Sequence, residues 1–243
     1  MASTAIEPGT SYRRDWRAAF GALRRLLADA NDTAQVFRIM RALNAGTAKS
    51  GYERLLRTAA GGRIAYQRVE LAERLSDPAF VGQFPEGNVG AAYAAFLERT
   101  GYSAEGLAMV SRADDASRDA QHPYAWFGRR IRDSHDIWHI LTGYRADEPL
   151  GEACLVAFSF AQTRGPGWAL IAIGTAIKAW RTPGGKPAVG AIWEGFRRGR
   201  RAAWLSGEDY EALLAEPLDA ARRRLGIGDA PAYRAMRGDP QSR

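Results

Sequence analysis

The chain has three histidines, and two of them fall in one short segment, His135-Asp136-Ile137-Trp138-His139. On a helix, residues four apart are neighbours, with Cβ atoms about 5–6 Å apart. His135 and His139 therefore project from one face, and Asp136, three before His139, flanks it. Two imidazoles and a carboxylate aimed at one point form a ligand set for a divalent metal. The competing reading is a pair of hydrogen-bonded core histidines. Two neighbouring motif classes fit poorly. A metalloprotease helix needs glutamate directly after the first histidine as general base, and Asp136 stands there. A His-Asp phosphohydrolase needs further His and Asp ligands on other helices, and only His122 remains.

A fourth donor follows from the elements that must carry the first three. Gly143 suits the end of the histidine helix, and Pro149 the first turn of the next. The short Tyr144–Glu148 loop predicts an antiparallel helix hairpin. His139 lies four residues before Gly143 and Glu152 four after Glu148. At about 1.5 Å per residue, both sit roughly 6 Å inside their helix ends. They reach one level, so Glu152 completes the set His135, Asp136, His139 and Glu152. Such a set suits zinc, and also Fe(II) or Mn(II). Four protein ligands make a closed structural site, whereas an exchangeable position makes a catalytic one. Asp136 either coordinates directly or holds a histidine ring nitrogen from behind. The spacing leaves both open.

The rest of the sequence reads as helix. Arg13–Leu27 places Trp16, Phe20, Leu23 and Leu27 on one stripe, with arginines opposite, and reads first as docking on the core, otherwise as an interface with anionic lipid. Further helices are expected over Ile64–Arg74, Val89–Thr100, Ala120–Gly143, Pro149–Thr163, Trp168–Arg181, Val189–Leu205 and Tyr210–Leu225. No alternating strand runs joined by hairpin turns stand out. The fold class is all-α: one helical domain over residues 13–228, with tails at 1–12 and 229–243. Cys154 is the single cysteine, which excludes an internal disulfide and a multi-cysteine zinc site. Met1–Ser11 carries no apolar run, so no secretory signal is expected. Trp168–Ile177 is the most apolar window, well short of the roughly 20 residues that span a bilayer. It reads first as a core helix, otherwise as the wall of a lipid-tail pocket or a membrane-dipping helix.

The formal net charge is +7, and nearly all the basic residues are arginines: Lys49, Lys178 and Lys186 are the lysines. Such a balance favours anionic partners. Arg197-Arg198-Gly199-Arg200-Arg201 is the densest run and reads first as a solvated helix face. No recognised nucleic-acid module accompanies it, so no nucleic-acid partner is expected.

The motif residues also carry a resemblance. His135-Asp136-x-x-His139, Leu141-Thr142-Gly143-Tyr144 and Leu150-Gly151-Glu152 resemble the signature of the coenzyme Q (ubiquinone) biosynthesis protein 4 family. Pro85–Leu97, Phe158–Gln162, Phe196–Leu205, Pro217-Leu218 and Arg222–Gly226 are similar to it too. The likeness runs from about residue 30 to 227. The interval from His139 to Glu152 is one residue longer than in the family, and the Tyr144–Pro149 loop absorbs the difference. The resemblance implies a divalent metal, zinc first, held by His135, Asp136, His139 and Glu152. It implies a pocket for a polyprenylated quinone precursor and decarboxylation at C1 of a 4-hydroxybenzoate-type headgroup, with hydroxylation there. The activity implied is that of a metal-dependent lyase. The alternative is a non-catalytic lipid-binding scaffold with a structural metal. Implied partners are isoprenoid lipid, other ubiquinone-biosynthesis proteins, a second copy in a homodimer, and a membrane surface. The implied place is the cytoplasmic face of the cell membrane, or the matrix side of the mitochondrial inner membrane in a eukaryote.

Overall fold

Apolar residues recurring every three or four positions fold the chain into helices, and no strand forms among the described residues. The computed structural model describes residues 14–30, 32–103, 106, 109 and 122–238. The expected tail over 1–12, Arg13, and Ala120 and Gln121 of the expected Ala120–Gly143 helix lie outside them.

The described helices are α1 (Trp16–Ala28), α2 (Thr33–Leu43), α3 (Ala45–Leu55), α4 (Gly61–Gln67), α5 (Leu71–Ser76), α6 (Pro78–Val81) and α7 (Val89–Thr100). After these come α8 (Pro123–Asp133), α9 (His135–Thr142), α10 (Pro149–Thr163), α11 (Pro166–Arg181) and α12 (Lys186–Arg201). The last three are α13 (Tyr210–Leu214), α14 (Leu218–Arg224) and α15 (Pro231–Arg237). One all-α domain results, as its patterning demands.

The centre of the domain is α10. Most of its residues from Gly151 to Gln162 are buried. Its broadest contact is with α12, where the two backbones nearly touch. A Cβ at Gly195 would stand 2.4 Å from the Cys154 carbonyl oxygen, and one at Gly199 2.6 Å from that of Phe158. Glycines one turn apart on α12 are what admit so close a crossing. On its other side α10 meets α11, and α11 carries α1 and α2.

Three expected helices are each two. Ser134 interrupts Ala120–Gly143, separating α8 from α9. Arg68, at φ +43°, divides Ile64–Arg74. Pro217 divides Tyr210–Leu225, because proline has no N–H for a helix interior. The freed backbone there is used elsewhere: Val89 N–H donates to the Glu216 carbonyl at 2.9 Å, and Leu218 N–H to that of Gly87 at 2.8 Å.

Two further expectations are corrected. α1 buries Ala19, Ala22, Leu23 and Leu26, while Trp16 and Phe20 remain 45% and 52% exposed. Small alanines let α1 lie close on its neighbours, and this turns the large aromatics outward. Residues 229–237 are no tail. The Glu194 carboxylate accepts from the Ala232 and Tyr233 amides at the start of α15, a favourable place for negative charge. Tyr233 is buried, and its hydroxyl bonds the Arg145 amide and the Glu148 carboxylate, both at 3.0 Å.

Candidate metal centre

The histidine helix is held at both ends and along its length. Gly143, at φ +76°, closes α9 in the left-handed conformation, and its N–H donates to the His139 carbonyl at 2.9 Å. The exposed carbonyls of that end are met by arginines. Arg222 donates to Ile140 O at 2.8 Å and Leu141 O at 3.0 Å, and Arg198 to Thr142 O at 2.9 Å. Cations at a helix C-terminus oppose its dipole. Arg198 belongs to the basic run expected to be solvated. It is instead buried, stacked over Tyr144 with its guanidinium carbon 4.8 Å from the ring centre. Trp138 anchors the middle: its indole N–H donates to Tyr210 Oη at 2.6 Å, and that hydroxyl donates to the Leu205 carbonyl.

His139 is enclosed, with its side chain 1% exposed. Nδ1 lies 2.8 Å from the Tyr144 carbonyl oxygen. A carbonyl only accepts, so Nδ1 carries the proton and Nε2 presents a lone pair. Nε2 points at Glu152 Oε1, 3.2 Å away, and has no hydrogen-bond partner. A buried lone pair facing a carboxylate calls for a cation or proton between them. The electrostatics agree. Burial disfavours the His139 imidazolium, yet the Glu152 carboxylate outweighs it and raises the pKa. Burial likewise opposes the Glu152 anion, and the His139 and His135 rings reverse it and lower the pKa.

His135 stands on the same face, its ring centre 5.0 Å from that of His139. Donor atoms of His135, His139 and Glu152 all lie within 4.8 Å of one another. Aromatic rings fix both imidazoles: Trp168 stacks on His135 at 5.8 Å, and Phe96 on His139 at 6.1 Å. Glu152 sits in the first turn of α10, directly after Gly151. A Cβ on Gly151 would lie 2.0 Å from the Arg145 carbonyl oxygen, so the loop folds tightly over that position. Asp136 does not join the group. Its carboxylate is 4.0 Å from His135 Nδ1, beyond hydrogen-bond range. Of the expected four-residue set, three donors come together, and Asp136 stands outside that group.

Glu152, 41% exposed, opens the group to a cavity of about 2490 Å³. Its wall includes Val36, Phe37, Leu150, Val156, Trp168 and Ile171, so it is largely apolar. Tyr102 also lines it. Burial, and then the Glu152 and Asp136 carboxylates, raise the pKa of its phenol. His122 is at the wall too, but its ring caps α8 by accepting from the Tyr124 amide at 3.3 Å.

Chain spacing near the motif could not reveal Trp168, Phe96, Arg198, Arg222 or the Tyr144 carbonyl in these roles. Most of these contacts join distant positions.

A model of the family described as coenzyme Q (ubiquinone) biosynthesis protein Coq4 matches residues 17–231. The chain belongs to that family. The resemblance read from the motif residues is borne out. The chain is 33% identical over 193 residues to the ubiquinone biosynthesis protein coq4, mitochondrial, of Pyrenophora tritici-repentis, covering 76% of this chain and 61% of that one. It is 27% identical over 200 residues to the corresponding protein of Yarrowia lipolytica, covering 77% and 69%. The chain therefore spans about three fifths of the length of the first of these relatives. A crystal structure from Nostoc punctiforme, provisionally described as a ubiquinone biosynthesis protein, superposes with a TM-score of 0.63. That match has 21% identity and covers 89% of this chain and all of that one, which shows a shared fold.

Proposed function

We propose that this protein acts in ubiquinone biosynthesis as a metal-dependent lyase, removing the C1 carboxyl of a polyprenylated 4-hydroxybenzoate-type precursor. The observation that carries the reading is the orphaned His139 Nε2, facing Glu152 at the wall of a large apolar cavity. His135, His139 and Glu152 would hold the ion, zinc by the donor set, with Fe(II) or Mn(II) also suited. Bound there, a divalent cation acts as a Lewis acid on a carboxylate or phenol oxygen.

The chain's own residues supply the rest. The Tyr144 carbonyl and the Phe96 ring hold His139 in one tautomer and orientation. Asp136, 4.0 Å from His135 Nδ1, adds negative charge beside that ring. The apolar wall takes the prenyl tail and excludes water from the headgroup. In simple decarboxylation the C1–carboxyl bond breaks, carbon dioxide leaves, and a proton replaces it at C1. The hydroxylated product additionally needs an oxidant, drawn from dioxygen or from a partner enzyme.

Three protein donors would leave a bound ion an exchangeable position, which favours catalysis over the scaffold reading. Variants decide it. Glu152→Ala that stays folded and stops product formation supports the lyase. Glu152→Ala that merely melts supports a structural metal and a scaffold, and full turnover would remove Glu152 from the reaction. The readout is labelled carbon dioxide released from carboxyl-labelled, prenylated 4-hydroxybenzoate.

A tailed substrate also requires a bilayer. No described helix is long and apolar enough to cross a membrane. A surface suited to the interface exists: Trp16 and Phe20 on α1, with Ile173, Ile177 and Trp180 on the adjoining α11, are exposed. Arg17, Arg24 and Arg25 stand exposed beside them on α1. Apolar insertion flanked by arginines suits an anionic leaflet. The double variant Trp16→Ser/Phe20→Ser is expected to lower flotation with phosphatidylglycerol vesicles roughly ten-fold, since two large apolar anchors are lost. Unchanged flotation would discard this face. Homodimerisation and contact with other ubiquinone-biosynthesis proteins belong to the same proposal.

A further inference from the structure

If the proposed substrate class is right, a cation must hold the carboxylate before it leaves. Four basic residues near the motif compete: Arg129, Arg130, Arg132 and Lys178. The structure commits three of them elsewhere. Arg129 makes a two-point pair with Glu70, at 3.0 and 2.5 Å. Arg130 donates to the Glu208 carbonyl, lies against the Trp126 and Tyr210 rings, and is no part of the cavity wall. Lys178 donates its ammonium to the Leu27 carbonyl at 2.5 Å.

Arg132 differs. It lines the cavity beside His135 and Asp136, about one helical turn before them, with its side chain only 7% exposed. Nε donates to Asp133 Oδ1 at 2.6 Å. Asp133 is itself 1% exposed, and its Oδ2 has no hydrogen-bond partner. The acid therefore grips one edge of the guanidinium. No described residue accepts a hydrogen bond from the two terminal nitrogens of Arg132. A buried guanidinium rarely leaves its fork unused, and the fork matches a carboxylate in two parallel bonds.

We infer that Arg132 is the substrate-binding cation of this cavity: its terminal nitrogens receive the carboxylate of a prenylated aromatic acid, and Asp133 is the positioning residue that fixes the fork. Specificity follows from the same arrangement. An acid enters the site with its charge matched, whereas a tail-matched phenol brings no anion to the fork that faces the cavity.

The test is binding, measured by tryptophan fluorescence on the full chain. The probes are 3-geranyl-4-hydroxybenzoate and 2-geranylphenol, which share a tail and differ in the carboxylate. Arg132→Gln, and Arg132→Gln/Asp133→Asn to avoid stranding a buried acid, are compared with the unaltered protein. The expected result is a loss of roughly ten-fold or more in affinity for the acid, the scale of a charge-assisted pair, with phenol binding and metal content unchanged. Arg132→Lys keeps the charge but loses the fork, and should recover part of the loss. A variant that still prefers the acid as the unaltered protein does would overturn the role of Arg132 and leave the lyase reading standing. Equal weakening of both probes would make Arg132 structural. If the unaltered protein shows no preference for the acid, the inference and the substrate reading fall together.

Discussion

His139→Ala is expected to abolish binding of the divalent metal proposed for the His135, His139 and Glu152 group. The side chain supplies the most enclosed donor of the group, and its tautomer is set by the Tyr144 carbonyl. Losing an outer-sphere partner typically costs about 10–100-fold in metal affinity, and losing a ligand costs more. Affinity should therefore fall by more than about 100-fold, taking retained metal from roughly one ion per chain to near zero. Elemental analysis after gel filtration, with competition against a chromophoric chelator, measures it. Asp136→Asn is the informative companion. It lies outside the three converging donors, so its effect should stay within the outer-sphere range of about 10–100-fold. A loss as large as that of His139→Ala would make Asp136 a ligand, and retention of metal by His139→Ala would dismantle the site.

Trp138→Ala should cost about 3–5 kcal/mol, the range for emptying a large buried aromatic site. Trp138 is 1% exposed and meets Phe158 of α10 with ring centres 6.3 Å apart. It thus ties the histidine helix to the central helix. For a chain of this length each kcal/mol moves Tm by about 2–4 °C, so a drop of about 10 °C is expected. Trp138→Phe separates packing from hydrogen bonding. It keeps most of the ring volume and gives up the indole N–H bond to Tyr210, a loss of about 1 kcal/mol. Thermal unfolding followed by circular dichroism resolves the two. Equal effects would mean that the hydrogen bond, not the packing, carries the stability.

Several features of the fold and the site were written in local chemistry. The apolar repeat set the all-α class. Gly143 and Pro149 marked where the histidine helix stops and where the next begins, and both hold those places. The match of levels between His139 and Glu152 followed from helix rise alone, and the two side chains meet at 3.2 Å. Boundaries failed where one backbone position outweighed a periodic pattern, as at Arg68, Ser134 and Pro217. The side of α1 that is buried was also misjudged. Size ranked Trp16 and Phe20 as core, but alanines let the helix pack closest.

Other facts had no local trace. Arg198 and Arg222 close the end of α9 from more than 50 residues away, and only the folded chain brings their charges to those carbonyls. The choice among four nearby cations likewise depended on which carboxylates and carbonyls had already engaged three of them. Sequence by itself determined the donor types, their spacing along each helix and the family. The tertiary structure alone decided that three donors converge while Asp136 stands apart from them, and that the cavity opens at Glu152. Periodicity sets a side chain's direction about its own axis, whereas convergence depends on how separate axes cross, and that is fixed by packing across the whole core.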